Sequence, residues 1–175
     1  FTEDKRPQPV DPYGIAKYAV ECDLKLAKEQ FNLRYNIVRP HNVLGTYQNI
    51  WDRYRNVIGI FIRKTLNRIP ILIYGDGEQT RAFSDIKYYM EPFDMLHDNF
   101  DGEIFNIGAD KYFSLNEVAE TVQKVGSKYG YDVPIEHGEP RHEVKHAYCD
   151  HTKAKTMLNF KDNTKLEDLI ESMFV

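Results

Sequence analysis

The chain has 175 residues, 42% of them hydrophobic and 29% charged, with a formal net charge of −4. That balance suits a globular domain and excludes the basic field that nucleic acid requires. No apolar run approaches the ~20 residues that cross a bilayer, no signal peptide is visible, and two isolated thiols, Cys22 and Cys149, suit a reducing compartment such as the cytoplasm.

The predicted elements alternate. Asp11 reads as an N-cap and Pro12 as the first helical residue, where its missing N–H costs nothing. Ala16, Val20, Leu24, Ala27 and Phe31 recur at three- and four-residue spacing, which predicts a buried stripe along that helix. Residues 35–38 read as a buried strand ending at Arg39-Pro40. Residues 55–67 read as a helix with Val57, Ile58, Phe61, Ile62 and Leu66 apolar, and 71–74 as a short strand stopped by the turn Gly75-Asp76-Gly77. Residues 87–98 look helical with a break near Pro92, and 103–107 form a second buried strand. Ser114 with Glu117 is a capping box, backed by an apolar stripe of Leu115, Val118, Ala119, Val122 and Val125. A strand at 133–136 and short helices at 152–158 and 166–174 complete the chain. Strand–helix alternation implies an α/β fold with parallel pairing. The six histidines form no cluster with Cys or carboxylates, and no metal site is assigned.

The chemistry concentrates in Tyr13-Gly14-Ile15-Ala16-Lys17. On a helix Tyr13 and Lys17 share a face, one turn apart. A phenol ordinarily ionises near pH 10 or so. An ammonium beside it favours the phenolate, so such a pair can work as a general base near neutral pH.

The surrounding residues carry a resemblance. Phe1-Thr2-Glu3-Asp4, Pro9-Val10-Asp11-Pro12-Tyr13-Gly14 and Arg39-Pro40-His41-Asn42-Val43-Leu44-Gly45 are followed by Tyr74-Gly75-Asp76-Gly77, Gln79-Thr80-Arg81-Ala82-Phe83, Phe105-Asn106-Ile107-Gly108 and Arg141-His142-Glu143-Val144. As a set, covering essentially the whole chain, they resemble the extended short-chain dehydrogenase/reductases, and within them the NAD-dependent nucleotide-sugar 4-epimerases. The resemblance implies the C-terminal part of a Rossmann-like doubly wound parallel sheet, in residues 1–48 and 84–110. A smaller α/β sugar-nucleotide domain would take 49–83 and 111–175. The family's glycine-rich turn, which cradles the dinucleotide pyrophosphate, has no counterpart, because the ten glycines never fall in its spacing. The family's catalytic Ser or Thr would precede Phe1. The expectation is therefore a C-terminal fragment, poorly stable, inactive and unable to hold NAD alone, whose mechanism belongs to a longer parent.

For that parent the resemblance implies roles. Tyr13 is acid/base at the sugar 4-hydroxyl. Lys17 holds the nicotinamide ribose and favours the phenolate, and Pro40 gives a backbone contact to nicotinamide. Asn42 touches the sugar nucleotide, Asn56 and Arg81 the diphosphate, Arg141 the phosphate and Glu143 the nucleoside ribose. Tyr74 and its flank pack on uracil. Ala147 stands beside the sugar's C2 substituent, where a small residue leaves room for an N-acetyl group. The implied reaction is 4-epimerisation of UDP-glucose/UDP-galactose or their N-acetylated forms, with NAD and a 4-keto intermediate. A sibling 4,6-dehydratase or UDP-glucuronate decarboxylase begins with the same oxidation, and a non-catalytic remnant is the alternative of a different class. The resemblance also implies a homodimer through the helix from Asp11 to Phe31, whose outward face would carry Tyr18, Glu21, Cys22 and Lys25. Asp85 and Lys87 depart from the family pattern of an aromatic and then an acidic residue, which puts local capping or a domain contact in question.

Overall fold

The computed structural model describes residues 1–52, 56–141 and 149–174. In chain order the elements are α1 (Pro12–Phe31), β1 (Ile37–His41), β2 (Val43–Leu44), α2 (Val57–Leu66), β3 (Ile71–Tyr74), β4 (Thr80–Ala82), β5 (Ser84–Asp85), a 3-10 turn (Ile86–Tyr89), α3 (Met90–Asn99), β6 (Ile104–Gly108), β7 (Tyr112–Ser114), α4 (Leu115–Lys128), β8 (Ile135–Gly138), α5 (Thr152–Met157) and α6 (Leu166–Glu171). They divide into two compact units. One comprises Phe1–Pro40, Tyr89–Ile107 and Cys149–Lys161, the other His41–Tyr88, Gly108–Tyr148 and Asp162–Val175. Among the described residues, no helix is long and apolar enough to cross a membrane.

In the first unit, α1 starts as its sequence dictates. The Asp11 carboxylate accepts from the Gly14 N–H at 2.7 Å, and Pro12 occupies the first turn. The helix stops at Asn32, which takes the left-handed conformation with φ 53° and donates its N–H to the Lys28 carbonyl, while the Leu33 N–H donates to that of Ala27. The predicted burial is not found. α1 has no buried residue: Ala16, Val20 and Phe31 are exposed, and Leu24 and Ala27 are half-buried. Periodicity builds an apolar face, but burial needs a surface to cover it, and the described residues supply none for this stripe. Glu21, expected on the outward face, instead turns its carboxylate to Arg39.

β1 runs on through Arg39-Pro40 to His41 instead of ending there, and pairs with β6. Asn36 locks the entry, with Nδ2 donating to the Leu96 and Phe100 carbonyls and Oδ1 accepting from the Glu103 N–H. Pro92 does not break α3. It sits third in the helix, in the first turn, where a backbone N–H has no intrahelical acceptor. Tyr89 anchors this unit's core: fully buried, it donates its hydroxyl to the Ile107 carbonyl at 3.0 Å and packs edge-on against Phe93 and Phe160. Residues 149–161, expected with the smaller domain, belong to this unit. The Asp150 N–H donates to the Phe1 carbonyl, and Lys153 pairs with Glu103 at 2.7 Å.

The second unit is built on α2 and α4, which pack with the parallel pair β3–β8 in the register Ile71↔Ile135 to Tyr74↔Gly138. The capping box is complete, with Ser114 Oγ accepting from the Glu117 N–H and the Glu117 carboxylate accepting from the Ser114 N–H. Behind it Val118, Ala119, Val122 and Val125 are wholly buried against Ile58, Phe61, Ile62, Ile71 and Ile73. β8 begins two residues later than predicted, after Pro134, whose carbonyl accepts from the Ile71 N–H. β2 pairs with β5 in parallel and β4 with β7 antiparallel; none of these four short strands was predicted. Asp85 serves the local turn. Its carboxylate accepts from the Lys87 N–H and pairs with the Lys87 ammonium at 2.8 Å, which holds that ammonium above its usual range.

Candidate functional site

In the first unit the site is the exposed start of α1. Because Pro12 and Asp11 fix where the helix begins, Tyr13 and Lys17 fall one turn apart on its surface, and the Lys17 ammonium lies 5.5 Å from the Tyr13 ring centroid. The Tyr13 side chain is exposed. A hydroxyl that can give or take a proton and an ammonium with three donors fit the diol and sugar hydroxyls of a ribose-bearing ligand. Pro40 is exposed in β1, and the residue before it, Arg39, is drawn back to α1 by Glu21. Burial pushes the Cys149 thiol up.

In the second unit, Tyr74 ends β3 and Arg141 follows β8, so both stand at the carboxyl end of the same parallel pair, where such sheets take ligands. The structure brings the two together. The Arg141 guanidinium carbon lies 3.4 Å from the Tyr74 ring centroid. An open cleft is lined there by Tyr74, Gly75, Gln79, His137, Pro140 and Arg141. The turn that borders it has φ +79° at Gly75 and +77° at Gly77. A Cβ on Gly77 would overlap the Asn116 side chain, which donates to the Asp76 carbonyl and to Glu78 Oε1 and meets His137 Nε2 at 3.1 Å. Gln79 Nε2 donates to the Tyr74 carbonyl at 3.0 Å. Asn116 and His137 were not singled out from sequence, and Gln79 only as part of a motif; the Gly75-Asp76-Gly77 turn was the available signal.

Asn42, Asn56 and Arg81 make local hydrogen bonds. Asn42 takes φ 46° between β1 and β2 and donates Nδ2 to the Ala82 carbonyl at 2.9 Å. Asn56 is the N-cap of α2, its Oδ1 accepting from the Gly59 N–H. Arg81 lies half-buried in β4, its Nη1 donating to the Thr80 carbonyl. Glu143 and Ala147 lie outside the described residues.

The profile described as the NAD dependent epimerase/dehydratase family matches residues 1–108. The chain belongs to this family. A UDP-N-acetyl-alpha-D-glucosaminuronate decarboxylase of Bacillus cytotoxicus is 33% identical over 160 residues, covering 89% of this chain and 49% of its own. The crystal structure of a UDP-glucose 4-epimerase from Thermotoga maritima with UDP-glucose superposes with a TM-score of 0.87 at 28% identity, covering 99% of this chain and 55% of that one. A UDP-N-acetylglucosamine 4-epimerase from Methanobrevibacter ruminantium, solved with UDP-N-acetylmuramic acid, gives 0.85 at 27% identity, covering 98% and 55%. The chain thus spans about half the length of these relatives. As a family member it has the epimerase fold, a Rossmann-like α/β arrangement, in the part that these relatives share with it.

Of the family's cofactor, the residues present fit one end. The Tyr13 hydroxyl and Lys17 ammonium suit a nicotinamide ribose, whereas none of the ten glycines has the spacing of a pyrophosphate cradle.

Proposed function

We propose that these residues serve an NAD-dependent nucleotide-sugar 4-epimerase acting on UDP-glucose/UDP-galactose or their N-acetylated forms. The observation that carries the reading is the Tyr13–Lys17 pair at the exposed start of a capped helix, within a chain of the epimerase/dehydratase family. Tyr13 takes the proton from the sugar 4-hydroxyl and returns it after the 4-keto sugar has turned. Lys17 holds the nicotinamide ribose and keeps a positive charge beside the phenol. NAD, when bound, accepts and gives back the hydride at C4. The Pro40 backbone borders the nicotinamide. Arg141 and Arg81 neutralise the diphosphate, with Asn42 and Asn56 adding polar contacts, Glu143 holding the ribose and Tyr74 offering its ring to the base. In this reading the residues at 1–48 and 84–110 serve the dinucleotide, the rest serve the sugar nucleotide, and the working protein is a cytoplasmic homodimer.

The test is Tyr13→Phe in the natural protein that contains these residues. Turnover should fall by roughly 10² to 10⁴, the usual worth of general acid–base catalysis, with NAD still bound. A variant keeping more than half of the activity would refute the assignment. The relative that is a decarboxylase supports a second reading, loss of the C6 carboxylate after the same oxidation. Release of carbon dioxide from a UDP-hexuronate, with no 4-epimer formed from UDP-hexoses, would select it.

A further inference from the structure

Tyr13, Lys17 and Glu21 follow one another at four-residue steps and so run along one stripe of α1. The helix buries no residue completely, and polar ties link it to the rest of the unit. One joins Glu21 to Arg39. Arg39 Nε donates to Glu21 Oε1 at 2.8 Å and Nη2 donates to Oε2 at 2.6 Å, two parallel bonds between a fork and a carboxylate. The Glu21 side chain is only 13% exposed and that of Arg39 25%, so water screens the pair poorly. Arg39 Nη1 also donates to the Glu3 carbonyl at 3.4 Å. Lys28 and Asp101, paired at 2.6 Å, make a second tie near the far end of the helix.

Lys17 and Glu21 stand at the spacing at which a helix lets an ammonium and a carboxylate meet. Left unclaimed, the Glu21 carboxylate would neutralise the ammonium beside Tyr13. We propose that Arg39 is a positioning residue for the base: by holding both Glu21 oxygens toward β1, it reserves the Lys17 ammonium for Tyr13. The inference rests on the reading of Tyr13 as the base. Among the described residues, the charged and titratable groups that face Arg39 are Glu21, the Glu3 side chain and the Cys149 thiol. Of these, Glu21 shares the stripe with Lys17.

The experiment compares the natural protein with Arg39→Ala and with Arg39→Ala/Glu21→Gln. Each is also made with Tyr13→Phe, so that an ultraviolet difference titration reports the Tyr13 phenolate without substrate or turnover. In Arg39→Ala the midpoint should rise, because an ammonium's help to a neighbouring phenolate is reduced by the carboxylate. The acidic limb of the kcat profile should move the same way, with turnover at a pH below both midpoints reduced in proportion to that rise. In Arg39→Ala/Glu21→Gln the midpoint should return to that of the natural protein, since the competing charge is gone. An unchanged midpoint in Arg39→Ala, even with activity lost, marks a merely structural role and overturns the proposal. So does a double variant displaced as far as the single one. Full activity in Tyr13→Phe alone would instead overturn the base assignment beneath it.

Discussion

Gly126 tests whether the helix packing in the second unit is as close as the structure shows. A Cβ added there would lie 2.6 Å from Thr65 Cγ2 and 3.0 Å from the Tyr131 carbonyl oxygen. Ordinary contact begins at 3.4 Å, so α2 and α4 would have to part by 3.4 − 2.6 = 0.8 Å or Thr65 would have to turn. Turning is opposed. Thr65 is fully buried and its hydroxyl donates to the Phe61 carbonyl at 3.0 Å, a bond worth about 1 kcal/mol that rotation would break. Gly126→Ala should gain roughly 1 kcal/mol of helix propensity and lose about 1–3 kcal/mol to overpacking. The balance is a net loss of about 1 kcal/mol, read as a lower urea midpoint. Thr65→Ser keeps the hydroxyl and removes the obstructing methyl. Combined with Gly126→Ala it should recover most of that loss, a coupling of about 1 kcal/mol in a double-mutant cycle. If Gly126→Ala raises the midpoint instead, propensity has won and the close approach of Gly126 to Thr65 is refuted.

Two further outcomes are expected. Lys124 first and then Lys128 hold the Glu167 carboxyl below its ordinary value of 4.5, so its contribution to stability is present above that pH and is lost as pH falls through the lower folded value. The difference in urea midpoint between the natural protein and Glu167→Gln should therefore vanish on acidification and shrink with salt, and a difference independent of pH would refute the cause. Ala147→Tyr should suppress turnover of UDP-N-acetylglucosamine while sparing UDP-glucose, because a wall against one substituent need not disturb the other. Equal loss on both substrates in paired assays would count against the position given to Ala147.

Local signals carried the sequence reading furthest where one short segment decides the outcome. Asp11 and Pro12 start α1, Ser114 and Glu117 cap α4, and the bounds of β3 match because Gly75 ends it by taking positive φ. The strands β2, β4, β5 and β7 are two or three residues long, too short for any period, and exist because a distant partner pairs with them. Burial of the α1 stripe failed for a related reason: spacing states which residues share a face but not what lies opposite. The site divides the same way. Tyr13 and Lys17 are close in sequence and were legible together. The stacking of Arg141 on Tyr74 depends on the register of β3 against β8, and Glu21 was misjudged because its partner, Arg39, arrives from another element.

The chain passes between the two units five times, at residues 40–41, 88–89, 107–108, 148–149 and 161–162. Neither unit is a continuous stretch, so neither could be duplicated, exchanged or transplanted by moving one block of gene. During synthesis, α1 leaves the ribosome well before the residues up to Lys161 that belong to the same unit, with two stretches of the other unit made in between. Pairings that far apart along the chain close slowly, because loop entropy is lost before the contacts repay it. Such interleaving ties the fate of each unit to the other. A lesion that delays one should leave the other exposed for the same interval, so the two should be lost together to proteolysis.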